Sequence, residues 1–91
     1  MSWFVLEQRY LDQDKRAATR AAHLDYLGEQ AAAKRLVAAG PWVAGTGSMI
    51  IYDVADEAAA RALWAADPYT TGGVTELLSI REWNPVVHRE G

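Results

Sequence analysis

Residues 3–10 alternate in character: Phe4, Leu6 and Tyr10 fall on one side of an extended chain, and Trp3, Val5, Glu7 and Arg9 on the other. A period of two predicts a strand from Trp3 to Tyr10. Asp12-Gln13-Asp14 follows, and carboxylates ahead of Lys15-Arg16-Ala17-Ala18 suit the positive end of a helix dipole. From about Lys15 to Ala39 the period becomes helical, with Ala17, Ala21, Leu24, Leu27, Gly28 and Ala31 forming one apolar stripe. Arg16, Arg20, His23 and Leu27 run along its flank. Gly28, inside the helix, costs about 1 kcal/mol relative to alanine and points to close packing there. Gly40-Pro41 stops the pattern.

Trp42 to Val54 reads as two strands, with Gly45-Thr46-Gly47 as the turn and Met49 to Val54 as the longer strand. Asp56-Glu57 opens a second helix whose Ala59, Ala62, Leu63 and Ala66 are expected to face inward. Asp67-Pro68 closes it, Thr70 to Gly73 is expected as loop, and Val74 to Trp83 is the last strand. The order β-α-β-β-α-β has an economical solution. It is an α+β, ferredoxin-like domain: a four-stranded antiparallel sheet with two helices on one face. The other face keeps apolar residues, which a small domain hides by forming a homodimer sheet to sheet; further association of dimers is left open.

At 91 residues the chain is expected to be a single domain, with residues 84–91 as a tail. An apolar share of 51% supports a core, though a modest one. Four Trp and four Tyr against one Phe favour a pocket or interface that is part apolar and part wet. A net charge of −3 offers no basic surface for a phosphate backbone, so nucleic acid is not an expected partner. The absence of cysteine excludes disulfides and thiol chemistry and fits a reducing cytoplasm. No segment has the length of a membrane span, so no membrane partner is expected.

Of two histidines, His88 lies in the tail and His23 in the first helix. An imidazole with a carboxylate to orient it suffices for proton transfer, and Asp67 is the carboxylate best placed to leave a helix axis, because proline after it favours extended backbone. The plainer accounts are a half-buried histidine bonded to a carbonyl and an ordinary Asp-Pro helix stop. Ser48, after the glycine turn, suits hydrogen bonding at a pocket rim; no Gly-x-Ser-x-Gly elbow exposes it as a nucleophile. Tyr69 offers a hydroxyl to a ligand or packs over the loop. Arg20, one turn before His23, is the better of two arginines for an anionic group, Arg16 reading as a solvated residue. One core histidine without a carboxylate cluster gives no metal site, and no cofactor is expected.

Arg20-x-x-His23-Leu24, Gly40-Pro41, the turn and strand from Gly45 to Ile51, Asp67-Pro68-Tyr69 and a last strand ending near Trp83 occur in this order. Together they resemble the YciI-like (YCII-related) family over nearly the whole chain. The resemblance implies a ferredoxin-like fold that dimerises into an α+β barrel. It implies an active site around His23 and Asp67, with Ser48 accompanying them. The expected function is cofactor-independent acid–base chemistry on a small molecule, of the elimination (dehydrochlorination) or isomerisation class. The alternative is a non-catalytic ligand-binding or accessory dimer, in which the His23–Asp67 pair only fixes helix position.

Overall fold

The computed structural model describes residues 1–89. Its elements are β1 (Ser2–Tyr10), α1 (Gln13–Ala32), β2 (Leu36–Pro41), β3 (Gly47–Val54), α2 (Glu57–Ala66), α3 (Pro68–Thr71) and β4 (Thr75–Trp83). The strands form one antiparallel sheet in the order β2-β3-β1-β4. The ferredoxin-like arrangement read from the sequence is therefore the observed one.

Burial follows the alternation of β1: Phe4, Leu6 and Gln8 are buried on the helix-covered face. Phe4 and Leu6 join Ile50, Tyr52 and Val54 of β3 and Ala60 of α2 in the core, with Leu63 and Trp64 packed against it. Asp12 caps α1 by accepting from the Asp14 and Lys15 amides, and Asp56 caps α2 by accepting from Ala59. Each satisfies amides that a helix start would otherwise leave unpaired.

Three expectations need correction. First, α1 ends at Ala32 rather than near Ala39, because Lys34 adopts a left-handed conformation with φ of 61°. The Lys34 and Arg35 amides close the helix onto Ala31 and Gln30, and the chain then leaves as the edge strand β2. A left-handed turn usually advertises itself as glycine or asparagine; here it falls on lysine, which carries no such signal.

Second, the inward face of α1 is the flank carrying His23, Leu27 and Gln30, while Ala17, Ala21, Leu24, Gly28 and Ala31 are exposed. Alanines gain little area by burial, and the polar side chains on the inward face all find partners. His23 bonds Asp67, Tyr26 donates to the Leu63 carbonyl at 2.7 Å, and Gln30 accepts from Arg35 at 2.8 Å. Gly28 is not tightly packed, since a Cβ there would meet nothing within 4 Å. Third, α2 packs Ala59 and Leu63 against the core as expected but with Ala60 and Trp64 beside them, leaving Ala62 and Ala66 exposed, and the expected loop after it begins with the single turn α3.

The face away from the helices carries Val5, Glu7, Met49, Ile51, Arg81 and Trp83 around a shallow groove. An Arg81–Glu7 ion pair of 2.8 Å crosses it, and the Trp3 and Trp83 rings meet at 6.0 Å.

Candidate functional site

Pro68 holds Asp67 in extended backbone (φ −66°, ψ 133°) between α2 and α3, where one residue ends the first helix and caps the second. Asp67 Oδ1 accepts from the Tyr69 amide at 2.9 Å, so its carboxylate meets the start of α3 and not only the unfavourable end of α2. The same oxygen lies 2.7 Å from His23 Nδ1, across the contact between α1 and α3. Asp67 is 1% exposed and His23 8%. A carboxylate only accepts, so the pair places the proton on Nδ1 and leaves Nε2 as the acceptor of the ring.

Tyr69 stacks on the imidazole with ring centroids 3.7 Å apart and planes 5° from parallel. Its other constraints are an edge contact with Tyr10 and a hydroxyl 3.5 Å from the Arg16 carbonyl. The His23 ring is thus clamped by the Asp67 hydrogen bond and by a face-to-face neighbour. Burial pushes the Tyr69 phenol above the usual tyrosine range, helped by Tyr10 and opposed by Arg16 and Arg20. Burial also raises Tyr52, with smaller contributions from Tyr26 and Asp67.

His23, Ser48, Tyr69 and Arg20 line one cavity of about 260 Å³, whose apolar walls include Leu24, Leu27, Pro41 and Ile50. Asp67 stands behind His23 and does not line it. The five residues singled out from sequence therefore converge, four as lining and one as support. Arg16 is not simply solvated: its guanidinium lies 4.0 Å over the Tyr10 ring. Sequence reasoning missed Gln8 and Trp64. Gln8 donates to Ser48 Oγ at 2.9 Å and accepts from Trp64 Nε1 at 2.9 Å. The available signal was a polar residue in phase with Phe4 and Leu6 on the core side of β1. Among the described residues, no three histidine, cysteine or carboxylate side chains come together as a metal site. Among them, also, no helix is long and apolar enough to cross a membrane.

The family model of the YCII-related domain matches residues 1–84. The chain belongs to the YCII-related domain family. No curated protein matches this YCII-related chain. Its fold is similar to that of the solved 5-chloro-2-hydroxyhydroquinone dehydrochlorinase from Burkholderia phenoliruptrix, in complex with 2,5-dihydroxybenzoquinone. The two share 22% identity over 90% of this chain and 93% of that one, with a TM-score of 0.78. At that identity the likeness is one of fold.

Proposed function

We propose that this YCII-related protein is a cofactor-independent enzyme that moves a proton on a small molecule, with His23 as the base and Asp67 as its orienting partner. The observation that carries this reading is the 2.7 Å His23–Asp67 contact behind a ring that lines a cavity. His23 Nε2 takes a proton from the substrate, and Asp67 holds the tautomer and stabilises the imidazolium that forms. In an elimination, the C–H electron pair becomes the new double bond and the halide leaves with its own pair. In an isomerisation, the imidazolium returns the proton to another carbon.

The cavity, at about 260 Å³, is smaller than the roughly 300–1,000 Å³ usual for drug-sized ligands, and it suits a single ring. Ser48 and Arg20 at its wall hold the substrate's oxygens. Elimination is the first class to assay, because a protein of the same fold is a dehydrochlorinase of a small hydroxylated ring.

The ring nitrogens of His23 test the reading directly. A 15N-resolved spectrum of the wild type is expected to show a protonated Nδ1 and a bare Nε2, and Asp67→Ala should release the tautomer to a mixture. A proton on Nε2 in the neutral wild-type ring would leave no base to meet a substrate, and the proposal would fall. The sheet's uncovered face is read as the contact of a homodimer, its Trp and Val side chains hidden against a second copy. Sedimentation should return twice the chain mass at micromolar concentration; a monomer there removes the dimer from the proposal.

A further inference from the structure

Gln8 and Ser48 are directly opposite in the β1–β3 register, and both are buried. They form the middle and end of a chain of side chains: Trp64 Nε1 to Gln8 Oε1, then Gln8 Nε2 to Ser48 Oγ, each 2.9 Å. The direction of this chain is fixed at its tryptophan end. An indole N–H can only donate, so it meets the amide oxygen and leaves the amide nitrogen facing the serine. Turning the amide over would set two donors against each other at a residue that is 1% exposed, a mismatch buried groups rarely sustain. Ser48 Oγ therefore accepts from Gln8 and keeps its own proton for the cavity it lines. His23 presents the opposite character, with Nδ1–H committed to Asp67 and Nε2 accepting.

We propose that the Trp64–Gln8–Ser48 chain makes Ser48 a dedicated hydrogen-bond donor, so that the cavity selects compounds carrying a carbonyl or phenolate oxygen beside an acidic C–H or O–H. The oxygen stands at Ser48 and the proton meets His23, with Arg20 at the cavity wall favouring negative charge. Enolisable hydroxy-carbonyl compounds, hydroxyquinones among them, have this arrangement. Compounds offering only donors, such as alkylammonium ions, leave the Ser48 proton unmet and are rejected. Gln8 and Trp64 do not line the cavity and act as positioning residues. The inference rests on the reading that the cavity beside His23 is the reaction site.

The direction of the chain is measurable without a ligand, from the Gln8 side-chain amide in a 1H–15N spectrum. Ser48→Ala is expected to shift the Gln8 amide resonance and speed its exchange while the Trp64 indole signal stays in place. A Gln8 amide indifferent to Ser48→Ala overturns the assignment. Selection is then read with 2,5-dihydroxybenzoquinone as the probe, by calorimetry. Ser48→Ala should weaken binding about 10- to 100-fold, the worth of a hydrogen bond to a charged or strongly polarised oxygen. Gln8→Glu should weaken it at least as much, because a carboxylate accepts from Trp64 and from Ser48 and so turns the serine proton away from the cavity.

In the Ser48→Ala background the same Gln8→Glu change should add no more than about twofold, since no serine proton remains to redirect. A full effect there would mean that charge acts on the probe directly, and the donor proposal would be wrong. If the wild type does not bind the probe at millimolar concentration, the reaction-site reading fails, and the Gln8 amide spectrum alone decides the donor assignment.

Discussion

Turnover is expected to fall by about 100- to 10,000-fold when His23 is replaced, the usual worth of a positioned acid–base group. Two replacements separate chemistry from folding. His23→Ala removes the base, but it also leaves the buried Asp67 carboxylate with only the Tyr69 amide on Oδ1, at a cost of about 1–3 kcal/mol. His23→Asn keeps an N–H near the position of Nδ1, preserves that hydrogen bond and cannot take up a proton near neutral pH. Both variants should lose product formation from any compound the wild type converts, with circular dichroism and oligomeric state unchanged in His23→Asn. Undiminished turnover by folded His23→Asn would leave the pair as a support for helix position and return the protein to the ligand-binding class.

The second large effect is expected at Gly47, and it is structural. A Cβ there would overlap the Gln8 carbonyl oxygen and sit 3.1 Å from Arg9 Cα, both backbone atoms of the paired strand. A clash with backbone has no side chain to yield, so β1 and β3 must separate where Gln8 meets Ser48. Gly47→Ala should cost about 3 kcal/mol. In a domain of this size that lowers the melting temperature on the order of 10–20 °C. Gly28→Ala is the matched control: its Cβ meets nothing, and relief of the helix penalty should stabilise by up to about 1 kcal/mol. A Gly47→Ala melt within two degrees or so of the wild type would show that the strands relax freely there.

The strands β1, β3 and β4 were legible because each sets apolar β-formers in or against the core. A strand that is almost wholly exposed is under no such demand. Every β2 residue except Leu36 is exposed, so residues 36–39 read as more alanine-rich helix until the left-handed Lys34 is seen. The face of α1 misled for a related reason: alanine marks helix-forming tendency more than burial, and the buried side is polar but satisfied. In the site, Asp67 was legible through its proline and its family-like motif. Gln8 and Trp64 were not. Their roles depend on which residue of β3 lies opposite Gln8 and which side of α2 faces down, and neither is written locally.

The two margins of the sheet differ from its uncovered face in one further respect. Along β2 the ladder is interrupted between Leu36 and Ala38 and ends at Pro41, which has no amide to offer. Along β4, the other margin, lie Glu76, Arg81 and Glu82, exposed charges of the kind that discourage an added strand. Growth by edge-to-edge pairing, the route toward fibres, is thus obstructed on both sides. The homodimer proposed above, stacked across the broad face, would by contrast close after one partner instead of propagating.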